Sequence, residues 1–446
     1  MSDIRRVAVV GGTPAALRKA RAAGFEVVWI HQPGELAADG LAEVSEALLT
    51  DYREPEAVVG LLRALHADRP VERVISMIED GLETAAAATT ALGLPGTGHD
   101  VVRVLQDKRA FRARLDERGV DATAARLGRT EEDLRAFVAA HGPAVIKPRF
   151  GSGSIGVRRV HGPRDVPAVA EWAREFGLHT FLMEEYLEGP EISVEAFSYG
   201  GRHVVLAHTA KETLGSLVEI GHVQPAGLAP DLAAGVDDLV VRMLDAVGLR
   251  DGPSHTEVKL TPDGPRLVES HNRRGGDRIA DLVQEVYGID IDALAFRWYA
   301  GDGEPEFPGA PRCGAAIRFL TAEPGVVESV DGAEAVRADP HVVDLRIGVS
   351  PGDTVSPIAW SYDRSGLLIV RGADADEARG RARELASAIT IRTTPREAPA
   401  HPRPIAEVAP RPDRLIGPAG PEEGPEPGPG QAHGTRTHRT ATPERG

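Results

Sequence analysis

The chain has 446 residues, 42% of them hydrophobic, which is enough apolar material for two or three cores of ordinary domain size. A formal net charge of −16 excludes general affinity for nucleic acid or anionic membrane, although a local basic pocket can still hold a nucleotide. Cys313 is the single cysteine, so no intrachain disulfide forms. The N-terminal MSDIRRVAVV carries no long apolar leader, and no run approaches the roughly 20 apolar residues that span a bilayer, so a soluble cytoplasmic protein is expected. Of 51 basic residues only five are lysine: Lys19, Lys108, Lys147, Lys211 and Lys259. Lysine supplies a compact, mobile point charge that a guanidinium does not, so each invites a specific task, although codon bias alone could leave a few.

In chain order, VAVVGG (7–12) reads as a buried strand ending in a glycine turn, followed by a helix through LRKARAAG. FEVVWI (25–30) and VERVISMI (71–78) are further strands, with EAVVGLLRALHAD and LETAAAATTALG as helices. This alternation predicts a parallel sheet with helices packed on it, ending at the turn cluster GLPGTG (93–98). Val101, Val104, Leu105, Phe111 and Leu115 share one face of a helix predicted over Asp100–Gly119. There follow a strand (PAVIKPRF), a loop (GSGSIG, 151–156), a strand (VRRV), a helix near 165–177 and a strand (TFLMEEYL). EISVEAFSYGGRHVVLAHT reads as two strands, LVVRMLDAVG as a helix, HTEVKLTPDGPRLVES as a hairpin and DRIADLVQEVYG as a helix. Short strands and one helix fill 311–394; residues 395–446 hold 12 of the 34 prolines and are expected to be disordered.

GSGSIG matches the dinucleotide fingerprint GxGxxG, but a strand follows it where that motif needs a helix, and the companion kinase motifs are absent. The earlier turn VVGGTP fits a tight β-α turn better than a nicotinamide site. Between two strands, Gly151, Ser152, Gly153, Ser154 and Gly156 can fold backbone N–H groups over phosphates, with the Lys147 ammonium beside them. Taken alone, the same segment could equally be a surface hairpin with an edge lysine. Glu184, Glu185, Tyr186 and Leu187 end a strand where extended backbone could pair with an adenine edge, and Glu191 follows within reach of ribose hydroxyls. Glu257 and Glu269 lie on the two strands of one hairpin, where facing carboxylates repel unless a cation lies between them. Oxygen donors of this kind suit Mg²⁺. Arg273 and Arg274, before Gly275 and Gly276, could clamp an anion.

These spaced motifs resemble the ATP-grasp superfamily over roughly residues 1–395. Lys108 in QDK resembles its first ATP lysine, Lys147 in IKP its second, GSGSIG its glycine loop and EEYLEGPE its adenine hinge and ribose glutamate. Glu257, Glu269 and Arg273 resemble the two Mg²⁺ carboxylates and the arginine that follows them. Within the superfamily EIGHVQPA, HTEVKL and ESHNRRGGD are most like L-amino acid (dipeptide) ligases and carnosine synthase-like enzymes. One position departs: the usual Glu-x-Asn-x-Arg is here Glu269-Ser270-His271-Asn272-Arg273, so Asn272 is a metal-ligand candidate displaced by one residue.

The resemblance implies an α/β fold with α+β subdomains. Its parts would be a Rossmann-like pre-ATP-grasp domain (1–98), a central lid subdomain (99–187), a catalytic metal- and substrate-binding subdomain (188–310) and a C-terminal α/β subdomain (311–394). It also implies ATP with two Mg²⁺ ions (Mn²⁺ as a substitute) and an amide or peptide bond formed between amino acid-like substrates through an acyl phosphate. Arg273 would steady the oxyanion, Gly275 and Gly276 would lend backbone donors to substrate, and Arg274, His222 and Lys211 would lie on the substrate side. The alternatives are an enzyme phosphorylating bicarbonate or formate, a non-catalytic nucleotide-binding subunit and, from the first glycine turn, an oxidoreductase. A homodimer is left open, as are the identity of the substrates and of the base for the amine.

Overall fold

The computed structural model describes residues 5–34, 38–213, 218–307 and 309–395, so the expected disordered tail falls outside the described residues from 396 onward. The N-terminal strands Arg5–Val10, Phe25–His31 and Arg73–Ile75, apolar and largely buried, form a parallel sheet with Glu46–Leu49 at one edge. Helices Pro14–Ala22 and Pro55–Asp68 connect its strands, each opened by a proline whose missing N–H costs nothing there, and Glu79–Leu92 follows the last strand. In such a sheet the turns after the strands form the ligand-facing edge. Glu79 starts the helix that leaves this edge after Arg73–Ile75.

The single helix expected over Asp100–Gly119 is two, His99–Gln106 and Lys108–Glu117. Asp107 breaks it: its backbone is extended and its carboxylate accepts from the N–H groups of Arg109 and Ala110 at 3.0 and 3.2 Å. The apolar period continues through the break and hides it from a periodicity reading. The break sets Lys108 at a helix start, where its N–H donates to Arg149 O at 3.0 Å.

The central subdomain is an antiparallel sheet in the order Ala125–Gly128, Phe181–Glu185, Ala144–Lys147, Arg158–Val160. The helix Glu131–His141 was not anticipated from the sequence, although Thr130 and Asp133 form a capping box at its start. Lys147 ends one strand and Arg158 begins its antiparallel partner, so GSGSIG is the connection between them. Gly151, Gly153, Ser154 and Gly156 all have positive φ there. At Gly156 a Cβ would also meet Phe176 and Pro148 at 2.9 Å, which explains a glycine at that point.

The largest sheet has eight antiparallel strands, in the order Gly264–His271, Gly252–Thr261, Glu191–Tyr199, Arg202–Thr213, Glu219–Gln224, Gly314–Leu320, Gly366–Gly372, Val342–Ile347. It runs across the expected boundary at 310/311, because Gly314–Leu320 pairs with Glu219–Gln224 rather than starting a separate sheet. Helix Pro230–Val247 buries Val236, Val240, Met243 and Leu244 against this sheet, in a core with Ile192, Val194 and Val258. The hairpin register sets Glu257 directly opposite Glu269. Among the described residues no helix is long and apolar enough to cross a membrane.

Candidate active site

A cavity of about 380 Å³ lies between the central subdomain and the eight-stranded sheet, within the size range of small-molecule sites. Its nucleotide-like end is walled by the lid loop and by the strand end Glu184–Leu187. Buried Arg112 grips Glu184 with two hydrogen bonds of 2.9 and 3.0 Å, and Lys147 reaches the same carboxylate at 2.7 Å. Burial works against this carboxylate, but Arg112 and Lys147 outweigh it and pull its pKa down to about 2. Burial, reinforced by the charges of Arg112 and Lys108, draws the Lys147 ammonium below its ordinary range despite Glu184. Glu185 and Tyr186 donate their N–H groups to Ala124 O and Pro143 O, at 3.0 and 2.9 Å, which fixes the hinge backbone. The Arg159 guanidinium stacks 3.5 Å from the centre of the Tyr186 ring.

Toward the middle of the cavity, lysines and carboxylates interleave. Lys108 Nζ lies 3.0 Å from Glu269 and donates to Gly151 O at 2.6 Å, so one side chain touches both the Glu257–Glu269 hairpin and the 151–156 loop. Lys211, almost wholly buried, contacts Glu257, Glu191 at 2.8 Å and Glu219 at 3.3 Å. Burial opposes its charge, yet these carboxylates hold it well above the ordinary lysine range. Glu257 and Glu269 repel each other across the hairpin; each is nonetheless kept ionised against burial, by Lys211 and by Lys108 respectively. The oxygens of Glu191, Glu219 and Glu257 lie within 4.8 Å of one another. The Lys211 ammonium, in contact with all three, balances this carboxylate cluster.

The other end is built around Arg273. Its Nε donates to Glu79 at 2.6 Å, and His271 bridges Glu79 and Glu269 at 3.0 and 3.1 Å. Arg273 and His271 together hold the Glu79 carboxyl far below its usual range although burial acts the other way. Glu269, His271 and Arg273 all line the cavity, the first two on alternate positions of the strand that ends at His271. Asn272 turns away and lines a separate cavity of about 50 Å³ beside Tyr299. Arg274 also leaves the site, pairing with Asp292 at 2.9 Å, an aspartate that Lys19 contacts as well. Gly276 lines the cavity, but the Gly275 N–H is committed to Glu195 at 2.8 Å, so it is no free donor for substrate. Glu195, fully buried, is also bonded to His255 at 2.5 Å, and a Cβ at Gly275 would meet this pair at 2.8 and 3.0 Å. Buried His222 faces Asp277 at 3.5 Å, and Arg364 clasps that aspartate with bonds of 2.6 and 2.8 Å. Asp277 and Arg278 both take left-handed backbone (φ 50° and 64°), a strained turn held at the cavity wall.

Three family models match consecutive stretches: an ATP-grasp N-terminal domain over 17–96, an ATP-grasp domain over 140–281 and an L-amino acid ligase C-terminal domain over 318–394. The chain thus carries ATP-grasp domains together with an L-amino acid ligase C-terminal domain. This ATP-grasp chain is 29% identical to human carnosine synthase 1 over 59% of its own length and 35% of that protein. It is 25% identical to alanine–anticapsin ligase of Bacillus subtilis, over 55% of the chain and 60% of the relative, so the matches span a third to three fifths of these relatives. The crystal structure of L-amino acid ligase from Bacillus licheniformis superimposes with a TM-score of 0.75 at 22% identity, covering 88% of this chain and 99% of that one.

Several residues of this ATP-grasp site escaped the sequence reading. Arg112 follows Lys108 by four residues, one helical turn, so their shared face was legible. Glu79 sits just after a strand of a parallel sheet, a position at which ligands gather. Glu195 and His255 are hidden in strand patterns. Asp277, Arg364, Ser361 and Tyr362 meet only through the fold, and no spacing rule joins them.

Proposed function

We propose that this protein is an ATP-dependent carboxylate–amine ligase that joins amino acid-like substrates through an acyl phosphate and releases ADP and phosphate. The observation that carries the reading is an unbroken chain of contacts along one cavity, Lys108–Glu269–His271–Glu79–Arg273, linking phosphate-binding to carboxylate-binding groups. Lys108, Lys147 and the backbone of GSGSIG hold the triphosphate, the 184–187 strand end meets the adenine and Glu191 the ribose. Glu257 and Glu269 would hold the Mg²⁺ ions, two by resemblance with Mn²⁺ as a substitute, and that charge screens the phosphates during transfer.

Arg273 orients the substrate carboxylate toward the γ-phosphate and then stabilises the oxyanion formed when the amine attacks the acyl carbon. The lid loop keeps water from the acyl phosphate. Of the two candidate bases, Lys211 is held charged by three carboxylates and cannot accept a proton readily. His222 is the better candidate: its Nδ1 has no hydrogen-bond partner among the described residues, and Asp277 faces its other nitrogen.

Purified protein with Mg-ATP and pairs of amino acids should release ADP and phosphate, and hydroxylamine should trap the activated acid as a hydroxamate. Binding of ATP without either product across a broad carboxylate panel sinks the ligase reading. ADP release with bicarbonate or formate alone would move the protein to the carboxylase or purine-pathway type.

A further inference from the structure

The loop 359–365 comes from the C-terminal subdomain yet reaches both other walls of the site. Trp360, 6% exposed, is part of the lid subdomain's own core, 5.5 Å from Phe176, which in turn stacks on Trp172 at 5.1 Å. Four residues later Arg364 clasps Asp277, donates to Ser361 O at 2.6 Å and lies 3.5 Å above the Phe319 ring, anchoring the loop on the eight-stranded sheet. Asp363 closes the turn between these anchors, its carboxylate accepting from the N–H groups of Ala359 and Trp360 at 2.9 and 3.2 Å. The segment is therefore a strap pinned at both ends.

Ser361 and Tyr362, between the pins, line the cavity. Ser361 Oγ donates to Glu219 at 3.2 Å. Tyr362 is 75% exposed, the most exposed aromatic among the described residues, and lies at the mouth with its edge 3.3 Å from where a Cβ on Gly153 would sit. Its neighbours in the strap, Ser361 on Glu219 and Arg364 on Asp277, bring the ring to the cavity that Arg273 also lines. A rigid turn holding a large apolar face in water beside an anion-binding arginine has the form of a half-built binding surface. The arginine takes a carboxylate, and the ring lacks an apolar partner.

We propose that Tyr362 is a specificity-determining residue that packs against the side chain of an amino acid substrate and selects bulky apolar or aromatic ones. This rests on the ligase reading for its role in turnover, but not for binding. The test uses the full chain and its Tyr362→Ala and Tyr362→Phe variants. ADP release would be followed with Mg-ATP and with glycine, L-alanine, L-leucine and L-phenylalanine, each supplied as acid and as amine partner. In parallel, calorimetry would measure binding of L-phenylalanine and glycine in the presence of Mg-ADP.

Tyr362→Ala should lower kcat/KM for leucine and phenylalanine about 10-fold relative to glycine, through KM, with a matching loss in phenylalanine binding. Tyr362→Phe should keep the wild-type ranking, because the ring face rather than the hydroxyl makes the contact. An unchanged ranking and an unchanged phenylalanine-to-glycine binding ratio in Tyr362→Ala overturn the proposal. A wild-type chain that releases no ADP while Tyr362→Ala still loses phenylalanine binding would overturn the ligase reading and leave the subsite standing.

Discussion

The two ends of the cavity are built differently. At the nucleotide end, Lys108 and Arg112 share one helix face, Lys147 and the glycine loop are contiguous, and Glu184 to Glu191 form one short stretch. At the substrate end, Glu79, His222, the Arg273–Asp277 turn and Tyr362 come from four separate segments spanning nearly 300 residues of chain. The first end is a set of local motifs that the fold only has to bring together. The second exists only because the N-terminal parallel sheet, the hairpin and the C-terminal strap converge. Nucleotide chemistry can thus stay fixed while substrate contacts, spread over independent loops, vary singly.

The sharpest way to break this division is at the hairpin both ends share. Glu269→Ala should reduce kcat/KM at least about 1,000-fold, since it removes a proposed metal carboxylate and the partner of Lys108. Steady-state ADP release with circular dichroism melting checks this; activity within tenfold of wild type would misplace the metal site.

The next effect is on stability and is read at the nucleotide end. Glu184 is ionised in the folded chain down to a pKa of about 2, against 4.5 as its ordinary value. Its pairing thus stabilises the fold fully above 4.5, and that contribution is lost as pH falls through about 2. Glu184→Gln leaves Arg112 and Lys147 buried without their carboxylate and should cost about 3 kcal/mol at neutral pH. Denaturant titrations between pH 7 and pH 2 should show the gap between variant and wild type closing with acid; a constant gap would mean the charge is not what matters.

The substrate end should respond in the binding of the carboxylate substrate. Glu79→Ala frees Arg273 and His271 from their shared carboxylate and should change KM for the carboxylate substrate about 10-fold while leaving Mg-ADP affinity within twofold. Equal effects on both ligands would dissolve the distinction between the ends. Glu79 also shows where legibility stopped. The parallel sheet, the two lysines, the glycine connection and the Glu257–Glu269 pairing were all readable, because strand periodicity and motif spacing are local. Which strand-end acid would meet Arg273 was not, since residues 79 and 273 are joined only by packing. The broken helix at Asp107 and the unanticipated helix at Glu131 were different failures, as both carried a capping residue that periodicity alone overlooks.

The smallest expected effect concerns the two residues that exchange places in the Glu269–Arg273 run. If the metal needed an asparagine amide, Asn272→Ser should impair Mg-ADP binding. The structure argues otherwise: Glu269, His271 and Arg273 line the cavity, and Asn272, just past the strand end at His271, does not. Asn272 instead lines the small cavity beside Tyr299, its buried Oδ1 without a hydrogen-bond partner among the described residues. Asn272→Ser should therefore change Mg-ADP affinity less than about threefold, a surface-like response expected where no ligand contact is lost. His271→Asn restores an amide oxygen on the cavity face and should keep or tighten Mg-ADP binding, because oxygen suits Mg²⁺ better than imidazole. Calorimetry on the pair decides it: a larger loss from Asn272→Ser than from His271→Asn would require the strand to turn its other face to the nucleotide.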